Sequence, residues 1–484
     1  MGNLSNSSHD RTVLLVSLAV LLLGVSLGWT VMRMETLPTR WFVSLAGVMV
    51  FLLLWPAYGW ITRNPEKLLW IVLFVSIPLD FDVHLVYREY VGTYNGVILN
   101  LTDLAFFALA SSWLYDVLVQ RDYAIHFYPQ VMIPAIGILL VQTASLVNAT
   151  DVTFSVFSLI QNTKVFFFFW FLVNRLSTLD DFRLAWTLLL WCLILESAMC
   201  TAQFVTQTNY TTTMKTAENY GEEMFRVGGT TGSPNVTGSY LASLLPVPIV
   251  FLFSRLRAKP AWLPWLAAGW GFFALILTQT RGAWINFMAG MVLFLVFSGK
   301  VRYLGQVLLG VGATAGIGFV IFRKVILERF SEGLDTLIYR LNLMQSAFEM
   351  IKSHPFLGIG INNYARVMDD YVPFFLTQER WIVHNHYLLV ASETGLLGLG
   401  LFLILLVTLF RTAWRGRRSS NPFISVFSVS IFFGLLIFCL QMMMESLDGR
   451  ISDSHFWLMA AIAVSLNVWV KNHGSLSPLK RDIE

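Results

Sequence analysis

The chain has 484 residues, 56% of them hydrophobic and 13% charged, with a formal net charge of +4. A soluble domain carries roughly 25% charged residues, and a soluble chain patterned like this one would expose far too much apolar surface, so a soluble fold is excluded. The small net charge gives no reason to expect a nucleic-acid partner.

Apolar runs of about the 20 residues needed to cross a bilayer recur along the chain. They lie near 12–32, 41–61, 67–79, 98–119, 128–147, 156–174, 183–206, 236–254, 262–278, 283–298, 301–322, 386–410, 422–440 and 454–470, the third being short. The expected fold is therefore an all-α polytopic integral membrane protein of about 14 transmembrane helices. No small-residue cleavage site follows the first run, which reads as a span rather than a signal peptide.

Alternate connections carry the basic residues: Arg63 and Lys67, Arg121, Arg175 to Arg183, Arg255 to Lys259, Lys300 and Arg302, Arg411 to Arg418, and a tail with Lys471, Lys480 and Arg481. The positive-inside rule makes these cytoplasmic, and an even number of spans puts both termini inside. The long connections, about 80–97, 207–235 and 323–385, then fall on the outer face, where nucleotide sugars are absent. The largest, between the eleventh and twelfth spans, contains a helical pattern over Tyr339 to Lys352, with Leu341, Met344, Ala347, Phe348 and Ile351 as its apolar face. Pro355 stops it. We read it as an amphipathic helix on the membrane face or over a cavity. The chain divides into N-terminal spans (1–206), a central region (207–410) and C-terminal spans with a tail (411–484).

Cys192, Cys200 and Cys439 all lie in apolar runs and form no CxxC pair, so neither a disulfide framework nor a zinc site is suggested.

Three outer-face clusters carry potential chemistry. The first is Arg226-Val227-Gly228-Gly229-Thr230-Thr231-Gly232-Ser233-Pro234-Asn235, directly before a span. Backbone amides freed by glycine, beside a guanidinium and a helix start, suit an anion such as a diphosphate; a plain flexible loop is the competing reading. The second is the tight turn Thr278-Gln279-Thr280-Arg281-Gly282. A span-end arginine is usually a snorkelling anchor, but the outer end is the less usual place for one. The third is His384-Asn385-His386-Tyr387-Leu388, followed by Glu393-Thr394-Gly395-Leu396-Leu397-Gly398. Histidine is the natural general base near neutral pH. On a helix His384 and His386 would point about 200° apart, so at most one serves a given site, whereas His386 and Glu393 would share a face. Gly395, Gly398 and Gly400 suit close helix packing. Lys164, Glu196 and Asp103 are ionisable groups in or near apolar runs, and Glu196 could partner an arginine.

Taken together, these clusters resemble the O-antigen ligase and polymerase superfamily over roughly residues 220 to 410. The resemblance rests on Arg226 with the Gly-Ser-Pro-Asn stretch, on Thr280-Arg281-Gly282, and on His384-Asn385-x-Tyr387-Leu388 with Glu393-Thr394-Gly395-Leu396-x-Gly398. Pro355 to Gly360, downstream of Arg340, looks like the family's large periplasmic loop. The resemblance implies a GT-C-like fold in a bacterial inner membrane, with the active site facing the periplasm. It implies an inverting, metal-independent glycosyltransferase without cofactor. The donor would be a glycan on undecaprenyl diphosphate, and the acceptor a glycan or lipid A-core. Membrane lipids and a chain-length regulator protein are the further partners. Carried over to this sequence, Arg226 and Arg281 would bind the diphosphate, with Arg340 as a further candidate. His384 would deprotonate or orient the acceptor hydroxyl, with Asn385, Glu393 and Asn235 in support. His386 stands where the family motif is free and receives no role. Polymerisation of repeat units is the leading expectation; ligation to lipid A-core or protein is the rival, and transport of a lipid-linked glycan a more distant one.

Overall fold

A computed structural model describes residues 65–89, 92–120, 125–207, 225–303, 305, 333–371 and 381–474. The expected spans 12–32 and 41–61, and nearly all of 301–322, lie outside the described residues. The chain forms two compact units, one of Met1–Leu85 with Ile98–His126 and one of Val86–Val97 with Phe127–Glu484.

In the first unit, α1 (Pro65–Ser76) packs against α2 (Leu101–Tyr115), and the Ser76 and Thr102 hydroxyls meet at 2.9 Å. A capping box opens α2: the Asn100 side chain accepts from the Asp103 N–H at 3.0 Å, and Asp103 Oδ2 accepts from the Asn100 N–H at 3.1 Å. Asp103 is thereby accounted for as a helix cap.

The fold is not all-α. A two-stranded sheet, β1 (Asp82–Tyr87) and β2 (Gly96–Asn100), occupies the expected outer connection 80–97. Val83, Val86 and Tyr87 of β1 and Val97 and Ile98 of β2 are strand-forming types.

The second unit is built of helices. In chain order they are α3 (Pro129–Ser145), α4 (Val152–Arg175), α5 (Leu179–Thr206), α6 (Pro234–Leu244), α7 (Pro246–Leu252), α8 (Trp262–Leu277), α9 (Arg281–Phe297), α10 (Gly333–Ser353), α11 (Tyr364–Val367), α12 (His386–Gly416), α13 (Pro422–Gln441) and α14 (Arg450–His473). Eight helices among the described residues are long and apolar enough to cross a membrane, with α8 and α9 shorter apolar helices. Each expected span within the described residues coincides with a helix. The protein is a polytopic, membrane-embedded helical bundle. Helix α13 is central: it packs on α6, α7, α9, α12 and α14. Its serines and cysteine are small residues that let neighbours approach.

Helix α10 is the expected amphipathic helix, ending at Ser353 just before Pro355. Its buried face differs from the expected one. Leu343, Ala347 and Met350 enter a core cluster with Tyr364, Val383 and Leu389, whereas Leu341 and Phe348 are exposed. An apolar count cannot separate two adjacent stripes when both are hydrophobic; the contact with α12 chooses one.

Helix α12 is broken at Gly395, which has φ 70°. There the Leu396 N–H donates to the Pro355 carbonyl at 2.8 Å, and the Ile359 and Gly360 N–H groups donate to the carbonyls of Ser392 and Glu393 at 2.9 and 3.1 Å. The Pro355–Gly360 turn thus fills the break. A Cβ on Gly395 would lie 2.2 Å from the Phe356 backbone, and one on Gly398 1.9 Å from Thr394 Oγ1, while Gly400 faces open space. Of the three glycines, two serve close approach and Gly400 does not.

Candidate functional site

The Gly-rich segment that precedes α6 is tied down from α5. Gln203 and Gly229 exchange two hydrogen bonds of 2.8 Å, and the Thr230 N–H and hydroxyl both donate to Glu196. Gly229 has φ 55°, and a Cβ there would strike Glu196 Oε1. Two corrections follow. The amides of Gly229 and Thr230 are spent on α5 rather than offered to an anion. Glu196 partners Thr230, not an arginine.

Arg226, nearly buried, clamps the second motif. Its Nε donates to the Thr278 carbonyl at 3.3 Å, and Nη2 donates to Thr280 Oγ1 at 3.1 Å and Asn235 Oδ1 at 3.0 Å. The hydroxyl of Thr280, which is the N-cap of α9, donates to the Pro234 carbonyl at 2.8 Å. The turn between α8 and α9 is therefore anchored to the start of α6. Arg281 is the first residue of α9 and is exposed.

The third motif opens α12. Asn385 is its N-cap, accepting from the Leu388 N–H at 3.0 Å, as an Asn before an apolar run predicts. His384 precedes the cap and is partly exposed.

One side chain joins the first cluster, the third cluster and Arg340 of α10, and it is Glu445, in the connection between α13 and α14. Glu445 Oε1 accepts from Asn235 Nδ2 at 2.9 Å and from Arg340 Nη2 at 3.2 Å. Glu445 Oε2 meets His384 Nδ1 at 2.9 Å. Burial alone would push the Glu445 carboxyl up; the hydrogen bond and charge of His384, with the charge and hydrogen bond of Arg340, outweigh it and hold the carboxyl below its ordinary value. The carboxylate is thus ionised at neutral pH and can only accept. His384 Nδ1 must then carry the hydrogen, which in the neutral ring leaves Nε2 as a base.

The sequence reading missed Glu445. The usable signal was a lone carboxylate beside the end of an apolar run, the same rule that picked out Glu196. Arg226, Asn235, Arg340, His384 and Asn385 are brought together around it. Asn385 Nδ2 also donates to the Met443 carbonyl at 3.1 Å.

Glu393 is placed elsewhere. It accepts from the Tyr364 N–H at 3.1 Å and, with His386, lines a cavity of about 110 Å³ among α3, α4, α12, α13 and α14. The expected shared face of His386 and Glu393 is that cavity. Among the described residues, no group of three or more His, Cys, Asp and Glu side chains is placed to hold a metal ion.

Residues 266–403 match the family model described as O-antigen ligase. The three motifs led to that superfamily, and the match bears the expectation out. It includes Arg281, Arg340, His384, Asn385 and Glu393. Arg226 and Glu445 lie outside the O-antigen ligase stretch but are hydrogen-bonded to its residues, and Asn235, also outside it, is hydrogen-bonded to both of them. The match supports activity of the O-antigen ligase or polymerase type, with a lipid-linked glycan donor and an acceptor in general terms. No curated protein matches the chain.

Proposed function

We propose that the protein is a glycosyltransferase of the periplasmic face. It transfers a glycan from undecaprenyl diphosphate to an acceptor hydroxyl, joining lipid-linked repeat units into an exopolysaccharide or O-antigen. The observation that carries this reading is the Glu445-centred cluster, in which a histidine base is oriented by a carboxylate beside cationic side chains.

In this reading His384 Nε2 accepts the proton of the acceptor hydroxyl as its oxygen attacks the anomeric carbon. Glu445 fixes the tautomer and stabilises the imidazolium that forms. The bond from the anomeric carbon to the diphosphate oxygen breaks, and its electron pair leaves with undecaprenyl diphosphate. Arg226 and Arg281 meet the developing charge, Arg226 from a position already ordered by Asn235 and the Thr278–Thr280 turn. Arg340, half-exposed on α10 and paired with Glu445, is a further candidate for the same anion. Asn235 and Asn385 hold the surrounding backbone and carboxylate in place. Attack opposite the leaving group inverts the anomeric centre, and the positive charge comes from arginine rather than from a metal. The ligase reading, transfer to lipid A-core or to protein, is favoured by the description of the matched family.

The test is the glycan profile of cells carrying His384→Ala, Arg226→Ala or Arg281→Ala, with membrane insertion verified. Loss of long chains with single repeats remaining marks a polymerase. Long chains retained on undecaprenyl diphosphate mark a ligase. Normal polymer in all three variants overturns the catalytic assignment and favours a transporter.

A further inference from the structure

His386 has no part in the transfer chemistry above. Its ring packs edge-on against Phe402, and it is hydrogen-bonded to the connection between α13 and α14, Met442 to Gly449. The His386 N–H donates to the Met442 carbonyl at 2.8 Å, and its Nδ1 donates to the Ser446 carbonyl. Asn385 holds the Met443 carbonyl, and the Tyr387 hydroxyl donates to the Cys439 carbonyl at 2.9 Å. Glu445 lies inside this clasped stretch, between Met444, whose carbonyl accepts from Arg340, and Ser446. The stretch includes Leu447 at φ 33°, a backbone state that a leucine keeps only when its surroundings impose it. A carbonyl cannot donate, so His386 Nδ1 carries the hydrogen.

We propose that His386 is a positioning residue: by holding the Ser446 carbonyl it aims the Glu445 carboxylate at His384 Nδ1. It thereby sets the tautomer of the base without touching substrate. The inference rests on the reading of His384 as the base.

The groups facing each ring are defined. The His384–Glu445 pair is faced by Arg340 of α10 and, through Asn235, by Arg226. His386 shares its cavity with Asp448 of the connection, Asp453 of α14 and Glu393 of its own helix. Thr93 and Tyr94, from residues 86–97, donate to Asp448 and Asp453. Helices α3 and α4 contribute the uncharged Gln142, Ser158 and Asn162. Burial pushes the Asp448 carboxyl up, against the opposing effects of His386 and the Thr93 hydroxyl.

The test uses the full chain in membrane vesicles that contain the host's own undecaprenyl-diphosphate-linked glycan, with undecaprenyl diphosphate release followed against pH. His386→Asn keeps an N–H donor where Nδ1 stands, whereas His386→Gln moves the amide outward to the Nε2 position. Both remain polar, so gross misfolding is not the expected difference between them. A second readout is the ¹⁵N spectrum of histidine-labelled protein, with the His384 signal assigned by its loss in His384→Ala. We expect His386→Gln and Glu445→Gln each to slow release by up to about 100-fold. Both move the acid limb toward lower pH, because losing an aligned carboxylate disfavours the imidazolium. Both also abolish the Nδ1–H tautomer preference of His384. His386→Asn restores rate, limb and tautomer, and the double variant is no slower than Glu445→Gln alone. A wild-type limb and tautomer in His386→Gln overturns the inference, as does failure of His386→Asn to rescue. If Glu445→Gln itself leaves rate and limb unchanged, the underlying reading of the base has failed instead.

Discussion

At the scale of single residues, the site is organised by a carboxylate that receives three side-chain partners on two oxygens. Its depressed carboxyl makes a prediction about stability. A carboxyl held lower in the folded state than in the unfolded chain contributes stability at pH above its unfolded value, about 4.3 for glutamate. That contribution is lost as pH falls through the lower folded value. The Glu445 contribution is therefore intact from pH 7 down to about 5 and disappears only in stronger acid. Thermal midpoints of detergent-solubilised protein should fall less on acidification below about pH 4 in Glu445→Gln than in the parent. At pH 7 the variant should already lie lower, by the equivalent of about 1–3 kcal/mol, because Arg340 loses its counter-charge and a single amide oxygen is left to accept from Asn235, Arg340 and His384. An equal acid response in the two proteins would show that Glu445 is not the depressed group. Residue type and expected position singled out His384, Arg226 and Arg281, and the family resemblance added Arg340 of the amphipathic helix as a further candidate. Type and position could single out Glu445 as a lone carboxylate beside a span end but not its role, because the three contacts that define that role come from α6, α10 and the stretch just before α12, far apart in the chain.

Elements were legible where one period dominates the sequence. Apolar runs gave the spans within the described residues, and Pro355 gave the end of α10. The break in α12 was not legible, because Glu393-Thr394-Gly395 reads as ordinary helix until the Pro355–Gly360 turn packs into it. The two faces of that contact are Gly358, whose Cβ would lie 2.3 Å from the Glu393 backbone, and Gly395. Both have positive φ, 66° and 70°. Gly395→Ala and Gly358→Ala should each destabilise the protein by at least about 1–3 kcal/mol, from backbone strain and steric overlap. Gly400→Ala is the internal control: it meets no atom within 4 Å and should gain roughly 0.5–1 kcal/mol from helix propensity. Unfolding midpoints of the three variants in one detergent would measure the contrast. Equal effects at positions 395 and 400 would mean that the break is not a constrained feature. Glu393 and His386, on the segment of α12 that precedes the break, line one cavity with residues of α3 and α4.

For the molecule as a whole, the distribution of charge is the ground for expecting the chemistry on the outer side of the membrane. Basic residues collect in alternate short connections, whereas Arg226 and Arg281 lie beside the opposite ends of spans and Arg340 lies on α10. The orientation can be read directly, because the three native cysteines are all buried and give a silent background to a membrane-impermeant maleimide. Lys352, at the end of α10, has a side chain 69% exposed, and Arg183, in the first turns of α5, one 59% exposed. In intact cells Lys352→Cys should label, whereas Arg183→Cys should label only after the membrane is permeabilised. This outcome places α10, and with it Arg340 and the Glu445 cluster, on the outer side, where an undecaprenyl-linked glycan can be consumed but a nucleotide sugar cannot be supplied. The reverse pattern would put the same cluster in the cytoplasm, and the donor assignment would fail even if His384 proved essential. The two labels therefore test the donor independently of the catalytic variants, whose loss of polymer would look the same from either side.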